Sequence, residues 1–148
     1  MTDDSSTASR AAEKPLNILL VEDDEVDVMN VRRAFLKGHI AHPLYVAGNG
    51  VEALDMLRRN DVPPERRLVL LDLNMPRMSG IEFLEELRRD PVLHRTPVVV
   101  LTTSNDDRDK GEAYGLNVAG YLVKPVHFTD FVELMSTLHR YWTLAEIA

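Results

Sequence analysis

The sequence predicts an α/β fold, a five-stranded parallel sheet with helices on both faces. Three observations predict it. Short apolar runs alternate with amphipathic stretches five times along 148 residues. The first, third and fourth runs are almost wholly apolar, as strands covered on both faces should be. The connections are short, so each helix must return the chain to a parallel neighbour through a right-handed crossover.

Taken in order, "LNILLV" (16–21) is the first strand, and Glu25 to Lys37 follows as a helix. That helix sets Val28, Val31 and Phe35 on one stripe and stops before Gly38. "PLYVA" (43–47) is the second strand, followed by a helix from Gly50 to Arg59 with Val51, Leu54 and Leu57 on one side. "RLVLLD" (67–72) is the third strand. The helix after it, Gly80 to Arg89, carries Ile81, Leu84 and Leu87, with Ser79 as its cap and Glu82 three residues on. "PVVVLTT" (97–103) precedes a short polar helix from Asp106 to Tyr114, which stops at Gly115. "GYLVKP" (120–125) is the fifth strand. The last helix starts near Phe128 and aligns Phe128, Phe131, Met135, Leu138 and Trp142 on one seam. Residues 1–14 read as a disordered polar lead-in, 15–142 as one domain and 143–148 as a tail.

A net charge of −7 argues against nucleic acid or an anionic membrane as the main partner. The absence of cysteine excludes disulfides, thiol catalysis and thiolate metal sites. No apolar run approaches the roughly 18–20 residues that span a bilayer, and the start lacks the apolar segment of a secretory signal. A cytoplasmic protein is expected.

In open parallel sheets ligands bind beyond the carboxyl ends of the strands. Those ends supply "EDD" (22–24), Asp72, Thr102 and Lys124. Converging carboxylates repel, and one has its pKa raised unless a cation lies between them. Hard oxygen ligands with room for water suit Mg²⁺. In this reading Asp23 and Asp72 ligate directly, Glu22 acts through water and the Asn74 carbonyl completes the protein side. A carboxylate beside Mg²⁺ and Lys124 is suited to attack a phosphoryl group and form an acyl phosphate. Thr102 would hydrogen-bond a phosphoryl oxygen, while Pro76 and Gly80 fix the turn that keeps Asp72 accessible.

"ILLVEDDE", "LLDLNMPRMSG", "PVVVLTTS" and "GYLVKPV" together resemble the receiver domain of bacterial two-component response regulators, over roughly residues 16 to 140. The resemblance implies a flavodoxin-like, receiver-type sheet. It also implies Asp72 as phosphoacceptor, Glu22 and Asp23 as the acidic pair, Thr102 as switch hydroxyl, Lys124 as the family's lysine and Tyr121 as the aromatic switch. The chain departs from the pattern at Glu22, where Asp is more usual, and at Thr103, bulkier than the common Ala. Asn74 and Ser104 occupy positions that influence acyl-phosphate hydrolysis in this family. "RRDPVLHRTPVVVLTTS" and "YWTLAEIA" are similar to stand-alone receivers that serve phytochrome-type histidine kinases.

The implied function is that of a single-domain response regulator. It would take a phosphoryl group from a sensor histidine kinase, a bacteriophytochrome being the candidate. Its own chemistry would be limited to autocatalytic phospho-acceptance and slow self-dephosphorylation. The face of the fourth helix, fifth strand and fifth helix is the candidate switching and homodimer surface. Two alternatives stand beside this: an unphosphorylated pseudo-receiver adaptor, and an aspartyl-nucleophile phosphatase. The phosphatase is disfavoured because Asn74 replaces the second acid that such chemistry needs.

Single residues also have plainer readings. Asp72 alone is a strand-terminal turn residue, Lys124 a solvated loop lysine, Thr102 a β-branched strand residue. Tyr121 divides evenly between switch and packing. Phe128 reads as core as well as an interface candidate. Trp142, beyond the packed seam, is the candidate partner anchor. Five scattered histidines give no transition-metal site. "RRNDVPPERR" (58–67) reads as a solvated loop whose Arg58, Arg59, Arg66 and Arg67 could touch an acidic partner.

Overall fold

The computed structural model describes residues 15–145. The chain runs β1 (Asn17–Val21), α1 (Glu25–Lys37), β2 (Leu44–Ala47), α2 (Gly50–Arg58), β3 (Arg67–Leu71), α3 (Gly80–Arg89), β4 (Val98–Thr102), α4 (Asp107–Gly115), β5 (Gly120–Val123), α5 (Phe128–Leu144). The expected lead-in, 1–14, lies outside the described residues, as do the last three of the expected tail.

The sheet order is β2-β1-β3-β4-β5, and every pairing is parallel. Every residue of β3 and β4 is buried, whereas the edge strands β2 and β5 are only partly covered. Side chains alternate between two cores. Leu19, Val21, Val69, Leu71, Val98 and Val100 face α2, α3 and α4. Ile18, Leu20, Leu68, Leu70, Val99 and Leu101 face α1 and α5. Because β1 reverses the strand order between β2 and β3, the crevice at the carboxyl ends opens beside β1 and β3.

Local chemistry sets the helix starts. The Asp24 side chain accepts from the Val26 and Asp27 amides to cap α1. Ser79 and Glu82 form the expected reciprocal capping box on α3. Gly80 is there for contact rather than dihedral freedom: a Cβ would lie 2.6 Å from the Asp72 carbonyl oxygen and from Leu73 Cα. The α3 start therefore sits directly on the backbone that presents Asp72.

Three expectations are corrected. Trp142 is not an exposed anchor: it is 9% exposed and packs with Leu16, Ile18, Phe35, Leu68 and Met135. The cause is that α5 continues to Leu144, so position 142 falls two turns below Met135 on the same apolar seam. The 58–67 loop is not simply solvated, because Arg67 opens β3 and is buried. The histidines are not all separate. His42 Nδ1 accepts from the Leu16 amide at 3.0 Å, so its Nε2 carries the proton and donates to His139 Nδ1 at 2.9 Å. Phe128 is half-buried, with the Arg33 guanidinium 4.8 Å above its ring.

Candidate functional site

Four strand ends converge. Glu22 and Asp23 follow β1, Asp72 follows β3, Thr102 ends β4 and Lys124 follows β5. The register carries them there: the Asp72 amide donates to Val21 O at 3.0 Å, and the Lys124 amide donates to Thr102 O at 2.8 Å.

Carboxylate oxygens from Glu22, Asp23 and Asp72 all lie within 4.8 Å of one another. Glu22 is 3% exposed and Asp72 7%, whereas Asp23 faces solvent. Asp72 is thus more covered than the sequence suggests, because β3 ends between two neighbouring strands rather than at the sheet's edge. Burial pushes the Glu22 carboxyl up to about 7. The hydrogen bond and charge of Lys124 pull it back, and Asp72 repels it further. Burial likewise raises Asp72, against the opposing pull of Lys124 and the Thr102 hydroxyl.

Lys124 Nζ lies 2.7 Å from Glu22 Oε1 and 3.1 Å from Asp27 Oδ2. Burial acts to lower the ammonium, but Glu22, Asp72 and Asp27 outweigh it and hold its pKa above the ordinary value. One lysine therefore serves three nearby acids, and the site remains short of positive charge. Arg77, five residues after Asp72 in the loop that follows it, is exposed and joins no ion pair among the described residues. It and Met78 instead hold left-handed backbone, with φ of 52° and 78's at 75°, in the loop between Asp72 and α3.

Asp27 is the site residue that the sequence reading missed. It stands in the first turn of α1, where an acid is already expected for the helix N-terminus, so nothing local marks it as a site residue. Glu22 has both oxygens engaged, Oε1 by Lys124 and Oε2 by the Asp24 amide at 3.2 Å. Asn74 is exposed beyond the end of β3.

The switch candidates separate. Thr102 is fully buried and its hydroxyl accepts from the Ser104 amide at 3.3 Å. Tyr121 is half-buried and its hydroxyl donates to Ser104 O at 2.9 Å. The Ser104 hydroxyl donates to Asp109 Oδ2 of α4 at 2.6 Å. Thr102, Tyr121 and α4 thus meet at one loop residue. Thr103 points outward into a groove lined also by Asp27, Lys124 and Phe128.

The donor set fits a hard divalent ion: oxygen ligands, two of them buried, carrying charge that a single ammonium leaves uncompensated. Comparisons with known proteins agree. The response regulator receiver domain model matches residues 18–136. The chain is 39% identical to the probable methanogenesis regulatory protein FilR2 of Methanothrix harundinacea, over 88% of this chain and 86% of that one. It is 36% identical to the response regulator Rcp1 of Synechocystis, over 86% and 89%. The phosphorylated cyanobacterial phytochrome response regulator RcpA superposes with a TM-score of 0.78 at 32% identity, over 90% and 97%. The Mn²⁺-bound form of Rcp1 does so with 0.76 at 34% identity, over 90% and 98%. The resemblance drawn from the four strand-end motifs holds, and so does the finer likeness to regulators of the phytochrome type.

Proposed function

The chain belongs to the response regulator receiver domain family, a family of signalling proteins rather than turnover enzymes, and from that premise we propose that Asp72 is its phosphoacceptor. An Asp72 carboxylate oxygen attacks the phosphorus of a phosphohistidine in line. The O–P bond forms as the N–P bond to the donor imidazole breaks. Lys124, held between Glu22 and Asp27, is placed to meet the new charge on the phosphoryl oxygens. The Thr102 hydroxyl turns toward one of those oxygens, releasing its contact with the Ser104 amide. Asp23 and Asp72, with the Asn74 carbonyl, would hold Mg²⁺ directly, and the two engaged oxygens of Glu22 suit contact through water. A bound Mg²⁺ supplies charge neutralisation to the transferring phosphoryl group.

Phosphorylation then shifts a population between two packings of the 102–104 loop, with Tyr121 reporting through Ser104 to α4. The surface that changes is the face of α4, β5 and α5, where Tyr114, Val123 and Tyr141 are exposed. Self-association through that face is part of this proposal. In this proposal the chain is cytoplasmic and its donor is a sensor histidine kinase of the phytochrome type, a reading supported by the likeness to RcpA. No described helix is long and apolar enough to cross a membrane.

The observation that carries this reading is the meeting of three carboxylates and one lysine at the strand ends. Incubation with acetyl phosphate and MgCl₂, followed by intact mass, tests it. One added phosphoryl group is expected on the wild type and none on Asp72→Asn or with EDTA. An unmodified wild type would make the chain a pseudo-receiver, and continuous phosphate release would make it a phosphatase.

A further inference from the structure

At the opposite edge of the sheet, a cavity of about 460 Å³ opens between the ends of α2 and α3 and the starts of β3 and β4. Leu57, Pro64, Val92, Leu93 and Pro97 supply apolar walls, and Arg58, Arg67, Arg95 and Asp90 are its charged lining residues.

Arg67 is the unusual member. It is 6% exposed, and its Nη2 donates to Asn60 Oδ1 at 3.1 Å and to the Val62 carbonyl. Its buried Nε has no partner, and among the described residues its Nη1 makes no hydrogen bond. No described carboxylate lies within ion-pair distance of it, and Glu65 acts on it from outside the cavity lining. A buried guanidinium bonded to neutral groups alone is a costly arrangement that an anion would relieve.

The local charge selects the anion. Asp90 is committed to Arg58 Nε at 3.2 Å and to the Val92 and Leu93 amides. Two helix C-termini add about half a negative charge each. Against three guanidiniums this leaves a surplus of about one positive charge. Both Nη2 hydrogens of Arg67 are taken, so Arg67 contributes charge and its Nη1. The planar guanidinium fork of exposed Arg95 matches a carboxylate, and the apolar walls require a hydrocarbon body beside it. We propose that this cavity binds a small monocarboxylate with an apolar body.

The test is ¹H–¹⁵N correlation spectra of the full chain titrated with sodium benzoate, against NaCl at equal ionic strength and against uncharged benzamide. Saturable shifts confined to amides of residues 57–67 and 90–98 are expected, with none for benzamide. Arg95→Ala and Arg58→Ala alter exposed side chains, so folding is preserved. Each is expected to weaken binding by about tenfold, the value of one charge-assisted hydrogen bond. Shifts that match NaCl, saturate elsewhere, appear equally with benzamide, or persist at unchanged affinity in both variants would overturn the proposal. Phospho-acceptance at Asp72 plays no part in the readout, so each reading can fail without the other.

Discussion

The two edges of the sheet handle charge in opposite ways. At the carboxyl edge, Glu22, Asp23 and Asp72 crowd together with Lys124 as their cation, and two of the three carboxyls are pushed upward. At the amino edge, apart from the Arg58–Asp90 pair and the unpartnered Nε of Arg66 and Arg67, most polar groups are met by neutral partners. Arg88 donates to the carbonyls of Leu116, His94, Thr96 and Asn117, joining α3 to the loops before β4 and β5. His42 and His139 pair ring to ring, and Arg66 Nη2 reaches Trp142 O at 3.3 Å. Saturated hydrogen bonds stabilise a fold. Concentrated like charge destabilises it until a ligand arrives. Around Arg88 and His42 the amino edge is tied by hydrogen bonds across elements, whereas the carboxyl edge concentrates like charge.

The largest test of that contrast lies at Trp142. Trp142→Ala should cost about 3–5 kcal/mol by urea unfolding, as for a core aromatic, with phospho-acceptance of the folded fraction unchanged. An unaltered unfolding midpoint would return Trp142 to the surface role the sequence suggested. Arg88→Met comes next. It strands several carbonyls and should cost about 3 kcal/mol, again with acceptance intact.

Asp72→Asn should do the reverse. It removes a buried carboxyl whose pKa is raised, so the midpoint at pH 8 without divalent ions should rise while phosphate uptake vanishes. A lower midpoint would show that Asp72 is a structural residue.

Acid should separate the edges by sign. The folded pKa of Glu22, about 7, lies above its ordinary 4.5, so its ionisation opposes folding fully above pH 7 and not at all below 4.5. Relative to wild type, Glu22→Gln should therefore be more favourable to the metal-free fold at pH 8 than at pH 4.5, the difference fading as pH falls. Mg²⁺ should raise the wild-type midpoint more at pH 8 than at pH 5. His42 is lowered to about 4 by burial, then by His139 and Arg66. Its contribution is complete above pH 6.5 and lost as pH falls toward 4, so the wild-type advantage over His42→Gln should shrink across that window. Parallel pH profiles for the two variants would erase the contrast.

The smallest effect is expected at Asp27. Asp27→Asn frees Lys124 from its second carboxylate and should change the rate of phosphate uptake several-fold, with a shifted pH profile and little change in unfolding midpoint. An unchanged rate and profile would make the Asp27–Lys124 contact incidental.

Much of this was legible in the residues. Nine of the ten elements followed from apolar runs and periodicity, with Gly38 and Ser79 as stop and cap, and the polar fourth helix followed from its place between two strands, because backbone hydrogen bonding and burial act over a few neighbours. The strand-end residues Glu22, Asp23, Asp72, Thr102 and Lys124 were also legible, since a parallel sheet must bring those ends together. Asp27 was not, because it joins the site only through the angle at which α1 leaves β1. Neither was the burial of Trp142, which the sequence aligned with the seam of α5 but whose cover comes from Leu16, Ile18 and Leu68 at distant strands.

The sequence by itself determined the order of strands and helices, the acidic mouth and the residues able to form it, because these depend on short-range pattern and a topology with few alternatives. Tertiary structure alone decided the partner of each charge: Lys124 with Asp27, Arg67 without a carboxylate, His42 against His139. Charges separated by tens of residues meet only when packing brings them within a few ångströms, and their energies depend on burial that no local pattern encodes.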